Sequence, residues 1–254
     1  MISWACALAV AAPRLLAREP LTQLTGILMF PAMLLGPSIS GIFLTWFSAG
    51  RGSVRDLFLQ MRRWQFSLYW YAPLLVPPVL ILIVLLSLKT FVFPVYSPNR
   101  FLIGIFFGVP AGLLEEIGWT GYAFPRMRCQ MNGFAAGVVL GLLWGLWHLP
   151  AINFLGTATP HRSYWFPFFL AFTAAMMAMR VLICWMYTHT KSVLLAQLMH
   201  VSSTGSLVVF SPPRVSPAQE VFWYAFYAAA LWLLAALVAR HMRKPMVHVS
   251  QRKP

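Results

Sequence analysis

Five stretches of this chain contain no Asp, Glu, Lys or Arg at all: 31 residues between Glu19 and Arg51, 25 between Arg63 and Lys89, 33 between Arg128 and Arg162, 22 between Lys191 and Arg214, and 19 between Glu220 and Arg240. A helix of about 20 apolar residues, rising ~1.5 Å per residue, crosses the ~30 Å hydrocarbon core of a bilayer. Each stretch is therefore long enough to span. Soluble domains carry roughly a quarter charged residues; here charged residues are 9% of the 254 positions and hydrophobic ones 60%. That balance excludes an ordinary soluble globular protein.

The expected fold is all-α, a polytopic transmembrane helical bundle of about seven spans, near 21–48, 66–88, 101–124, 133–154, 166–188, 192–210 and 220–240. No internal repeat or low-complexity linker divides the chain, so 1–254 reads as one integral-membrane domain with a basic tail at 241–254. A shorter apolar stretch, Trp4 to Ala12, ends at Pro13 and Arg14. It is too short to span, and would add an eighth helix if it were the tail of an incomplete one. Pro31 and Pro37 should kink the first span and Pro77-Pro78 the second, which a packed bundle tolerates. Cys6, Cys129 and Cys184 show neither CxxC nor metal-ligand spacing and read as packing residues. The amino terminus has no basic lead followed by a small-residue cleavage site, so insertion should use the spans themselves.

The net charge of +14 does not point to nucleic acid, because the basic residues fall between apolar spans instead of forming a stripe interleaved with aromatics. They read as topology signals. With the loop at 49–65 in the cytoplasm, Arg51, Arg55, Arg62, Arg63, Arg126, Arg128, Lys191, Arg240, Arg243, Lys244, Arg252 and Lys253 all lie inside. Arg14, Arg18, Lys89, Arg100, Arg162 and Arg214 lie outside. The positive-inside rule then predicts a multi-pass plasma-membrane protein, bacterial by expectation, with its amino terminus out and its carboxyl terminus cytoplasmic. The basic tail suits anionic lipid at the inner surface. The aromatic clusters Trp64–Tyr71 and Phe222–Tyr227 read as interfacial anchors or helix-packing residues. His161, His189, His241 and His248 are assigned no chemistry.

Against this apolar background the polar residues inside the spans stand out. Two of the five acidic residues, Glu115 and Glu116, are adjacent in the third span, within GVPAGLLEEIGWTGYAFP. An ionisable group there costs about 2.5–3.5 kcal/mol on insertion scales, and two neighbouring carboxylates also repel, so a functional role is the default reading. The fourth span ends in GLLWGLWHLP, with Trp144 and His148 four residues apart on one face. The sixth holds QLMHVSSTG, where His200 shares its face with Ser203 and Thr204. Counting ~1.5 Å per residue from the inner helix ends gives depths of roughly 15 Å for Glu115, 22 Å for His148 and 12 Å for His200. Three helices thus bring titratable groups to similar depth, which requires a water-accessible cavity.

Such a set suits hydrolysis. A buried carboxylate beside a histidine can take a proton from water and pass it to a leaving amine. A second histidine with hydroxyls nearby can stabilise the oxyanion of a tetrahedral intermediate. Alternatively, Glu115, His148 and His200 would be a ligand set for a divalent metal such as zinc with one position open to water; the residues leave the metal-bound and metal-free versions equally open.

The order of these elements, EEIGWTGYAFPRM, then LLWGLWHLP, then QLMH, resembles the motif regions of the CAAX prenyl protease and bacteriocin-processing (CPBP, or Abi) family of intramembrane proteases. GPSISGIFLTWF and the basic loop after it resemble that family's preceding helix, so the similarity covers about residues 30–210, with a protease-like core at about 95–210. The resemblance implies an intramembrane endopeptidase in which Glu115 activates water with His148 as partner, Glu116 supports them, and His200 stabilises the oxyanion or binds the substrate carbonyl. It implies a peptide or membrane-protein substrate, prenylated if CAAX-like, and leaves metal dependence open. Two positions depart from the family pattern: Thr120 stands where EExxxR has arginine, and Thr204 where HxxxN has asparagine. The threonine at 204 can still donate a hydrogen bond. At 120 a full charge is missing, and Arg180 in the fifth span, at roughly 12 Å depth against ~13 Å for Glu116, could supply it in space. The departures also suit a non-catalytic relative acting as membrane scaffold or immunity factor, and the buried acids and histidines would equally serve a proton-coupled transporter.

Overall fold

A computed structural model describes residues 1–150, 152 and 161–242. The described residues are helical throughout, with connecting turns and no strand. Nine helices are labelled in chain order: α1 Ile2–Leu16, α2 Gln23–Gln60, α3 Val76–Phe91, α4 Ile105–Gly118, α5 Phe124–Met127, α6 Gly133–Trp147, α7 Trp165–Thr190, α8 Val193–Phe210 and α9 Pro217–Ala239. Six of the described segments are long and apolar enough to cross a membrane, with α1 and α6 as shorter apolar helices. The protein is a multi-pass helical membrane bundle, in agreement with the expected class and with seven or eight helices.

Glycine stripes decide which helices touch. Gly104, Gly108 and Gly112 recur every fourth residue on one face of α4 and its preceding turn, and that face lies against α8. A methyl group on Gly108 would sit 2.6 Å from the Gly205 backbone nitrogen, and one on Gly112 2.6 Å from the Gln197 carbonyl oxygen. Only hydrogen fits there, and the backbones approach as small-residue packing in membranes allows. Continuing the stripe by four reaches Glu116, which is thereby delivered to the face of α8. A second stripe, Gly137, Gly141 and Gly145, seats α6 on α7 against Val181, Met177 and Thr173. The glycine pair Gly41 and Gly118 brings α2 onto the end of α4. Helix α9 covers the other side of α7, and α1 lies along α2 through Ser3, Ala7 and Ala11.

Several local expectations are corrected. Pro77 and Pro78 do not kink a span; they occupy the first turn of α3, where proline's missing N–H has no intrahelical partner to lose. Pro31 and Pro37 lie inside α2, whose one break from helical geometry is at Gly50, with φ of 76°. The stretch expected as a loop at 49–65 is helical as far as Gln60 beyond that break, with Leu57 buried and Arg51 and Arg55 exposed. Pro13 lies inside α1, which runs on to Leu16. Cys184 is buried, but Cys129 is exposed in the turn after α5, its thiol donating to the Pro125 carbonyl at 3.4 Å. Among the aromatic clusters, Trp223 and Tyr227 are buried packing residues whereas Trp64 and Phe226 are exposed. The expected end of the fourth span at 154 and most of the basic tail, including His248, lie outside the described residues.

Candidate active site

The site begins with how α4 ends. After Gly118 the helix passes through a π-helical turn, Trp119–Ala123, before resuming as α5, and such wide turns recur at functional sites. Just ahead of the paired acids two neighbours hold the α4 backbone. Ser38 of α2 donates to the Leu114 carbonyl at 2.6 Å, and Gln197 of α8 donates to the Leu113 carbonyl at 2.7 Å. Neither residue was a sequence candidate. Their only signal was that of a polar side chain within an apolar span.

Adjacent residues on a helix point about 100° apart, and the two acids accordingly meet different partners. Glu116, fully buried, receives Arg180 Nη1 at 2.8 and 2.7 Å on its two oxygens, together with the Thr120 hydroxyl. His200 Nδ1 lies 2.7 Å from Glu116 Oε1. A carboxylate only accepts, so Nδ1 carries the proton and Nε2 is turned to the other side. Glu115 instead accepts from the indole Nε1–H of Trp144 at 2.7 Å.

Trp144 is the hub. Beyond its bond to Glu115, its ring lies under the Arg180 guanidinium at 4.2 Å and edge-on to His200 at 4.9 Å between centroids. Its backbone carbonyl accepts from His148 Nδ1 at 2.7 Å, which leaves Nε2 of His148 as an acceptor. His148 is not within the helix as expected but at its C-cap, where a histidine can satisfy one of the last free carbonyls. Phe172 and Trp147 pack on its ring.

The structure thus brings together Glu115, Glu116, Thr120, Trp144, Arg180 and His200, with His148 joined through Trp144. Thr204 is half-buried one turn beyond His200, and among the described residues no hydrogen bond ties it to the cluster. The expected wet hollow takes a closed form. Glu115, Glu116 and His200 are 1%, 0% and 1% exposed, because the glycine stripes draw the helices together around them. A cavity of about 250 Å³ between α1, α2 and the π turn stops at Trp119 and Trp147, whose rings are 6.3 Å apart. Among the described residues no group of three or more His, Cys, Asp or Glu side chains is spaced to hold a metal ion. Glu115, His148 and His200 are therefore not spaced as that ligand set in this arrangement, although each histidine keeps Nε2 free and Glu115 keeps one oxygen free.

Outside the cluster, His161 turns out to be partnered: its Nε2 lies 2.9 Å from Glu220 Oε2 and its ring stacks on Phe168 at 3.8 Å.

Comparison with known proteins adds a second, independent line. Residues 97–205 match the family model described as Type II CAAX prenyl endopeptidase Rce1-like. The chain is 32% identical over 139 residues to CAAX prenyl protease 2 of Methanococcus maripaludis, an alignment covering 50% of this chain and 51% of that protein. The chain spans about half the length of the curated relative it matches. The matched residues 97–205 carry Glu115, Glu116, Trp144, His148, Arg180 and His200, so the similarity to Rce1-like CAAX prenyl endopeptidases takes in the whole cluster.

Proposed function

We propose that this protein is an intramembrane endopeptidase of the CAAX prenyl protease kind, hydrolysing a peptide bond of a membrane-held, prenylated substrate with water activated by Glu115. The observation that carries the reading is the convergence of Glu115, Glu116, Trp144, His148, Arg180 and His200 from four helices, α4, α6, α7 and α8. Side chains that cost this much to bury are retained in membranes for chemistry more readily than for packing.

In this reading Glu115 takes a proton from water while the Nε2 lone pair of His148 accepts the other water hydrogen and orients it. The oxygen adds to the scissile carbonyl carbon. The resulting oxyanion is stabilised by the imidazolium form of His200, in which Nδ1–H donates to Glu116 and Nε2–H donates to the oxyanion. Glu115 then returns its proton to the leaving nitrogen as the C–N bond breaks. Arg180 and Thr120 hold Glu116 and touch no reacting atom. Water and substrate reach the closed site past Trp119 and Trp147, the wall shared with the 250 Å³ cavity.

The test is turnover of prenylated CAAX-type peptides by protein reconstituted in liposomes, with metal content measured on the same sample. Glu115→Ala and His148→Ala should each lower kcat by about 100-fold or more while the helical spectrum and melting remain. One observation favours a second reading, a non-catalytic membrane scaffold: the acids and His200 are almost wholly closed off. Folded wild-type protein that cleaves no peptide of the series would select the scaffold.

A further inference from the structure

Trp144 and Arg180 share a geometry that bears on why two neighbouring acids can do different work. Arg180 uses one nitrogen, Nη1, for both oxygens of Glu116, while its Nε and Nη2 have no hydrogen-bond partner among the described residues. Its side chain is 0% exposed, so it does not snorkel to an interface. What meets the rest of this buried cation is the face of Trp144, 4.2 Å below it, and a desolvated cation over an indole is among the stronger contacts of its kind. The same indole turns its N–H to Glu115. One planar cation therefore touches Glu116 directly and reaches Glu115 through a ring, a combination that the point charge of lysine cannot reproduce. Arg180 Nη1 also lies 3.5 Å from the Thr120 hydroxyl. The residue at 120 and the guanidinium that serves Glu116 are thus neighbours in space although they sit on different helices.

We propose that Arg180 and Trp144 are positioning residues that make the two adjacent carboxylates unequal: Arg180 fixes Glu116 as its ion-pair partner and, lying over the Trp144 ring, keeps that indole N–H aimed at Glu115. The proposal deepens the peptidase reading of the same site and rests on it for its catalytic consequence. A corollary is that the charge can be moved. Exchanging the two residues, with Arg180→Thr and Thr120→Arg together, leaves an arginine beside Glu116 on the helix that carries it.

The experiment labels the protein in liposomes with dicyclohexylcarbodiimide, an apolar reagent that attaches to protonated carboxylic acids, and reads each glutamate by mass spectrometry. Glu116 stays unlabelled in the wild type, becomes labelled at least about tenfold more in Arg180→Thr, and is protected again in the exchanged pair. Equal labelling of Glu116 with and without Arg180, or an exchanged pair that behaves like the single variant, overturns the ion-pair arm. Should Arg180→Thr fail to fold, Arg180→Lys serves: Glu116 remains protected, but labelling of Glu115 changes severalfold as the stacked ring is lost. Trp144→Phe, which keeps a ring and removes the N–H, changes Glu115 labelling in the same direction. It also lowers kcat by about tenfold with a moved pH profile and KM within about twofold. Combined with Arg180→Lys, it adds nothing further. Unchanged Glu115 labelling in both variants overturns the Trp144 arm. If no peptide is cleaved by the wild type, the peptidase reading falls, while the labelling still decides whether Arg180 and Trp144 set the two acids apart.

Discussion

At the scale of single residues, Glu115 and Glu116 illustrate how little sequence adjacency says about role. One step along the helix turns Glu116 to Arg180, Thr120 and His200, and Glu115 to Trp144. Their replacements should separate in the same way. Glu116→Gln leaves Arg180 as a buried charge without its partner, a change that typically costs about 3–5 kcal/mol. Glu115→Gln keeps an oxygen to accept from Trp144 and should cost only about 1 kcal/mol, yet it abolishes cleavage. Thermal melting of the two proteins in one detergent checks this, and equal losses would contradict the division of labour. Sequence alone could nominate both acids and both histidines, because an ionisable group among apolar residues is conspicuous. It could not nominate Trp144 as a hub. The sequence marks Trp144 as a supporting residue by its place one turn before His148, but not that its N–H meets a carboxylate.

At the scale of elements, the glycine stripes carry the design. The sequence pattern shows where glycines recur, but which neighbouring helix they admit is a tertiary matter, and here one stripe ends on Glu116 while another seats α6 on the helix bearing Arg180. Gly112→Leu should force α4 from α8, since its first carbon would already lie 2.6 Å from a backbone oxygen. The expected loss is about 1–3 kcal/mol, with a larger fall in activity because Glu116 moves away from His200. Gly52→Ala, with nothing within 4 Å of the added carbon, should melt no lower than wild type. Melting curves of the two variants that coincide would show that the α4–α8 seam is loose. Ser38 and Gln197 act at the same scale, pinning successive carbonyls of α4 from opposite sides. Removing both should lower activity more than stability, because each bond contributes only about 0.5–1.5 kcal/mol whereas the acids depend on that turn for their direction.

At the scale of the whole molecule, the charge asymmetry predicts an orientation that a cysteine can test. Cys129 is exposed in the basic turn after α5, Cys184 is buried, and Cys6 is half-buried. In a Cys6→Ala background, a membrane-impermeant maleimide should label Cys129 in inside-out vesicles and leave it unlabelled in right-side-out ones; the reverse pattern would invert the topology. What the sequence by itself determined was the class of molecule, since long charge-free stretches have no low-energy form in water and since hydropathy and the distribution of arginine act locally along the chain. It also determined the short roster of groups able to do chemistry. What only the tertiary structure decided was the wiring among them: that Arg180 from a distant helix serves the acid beside Thr120, that Trp144 joins Glu115 to His148, and that the cluster is closed. Those outcomes depend on helix–helix approach distances of a few ångströms, set by glycines on facing surfaces and not by any property readable along a single segment.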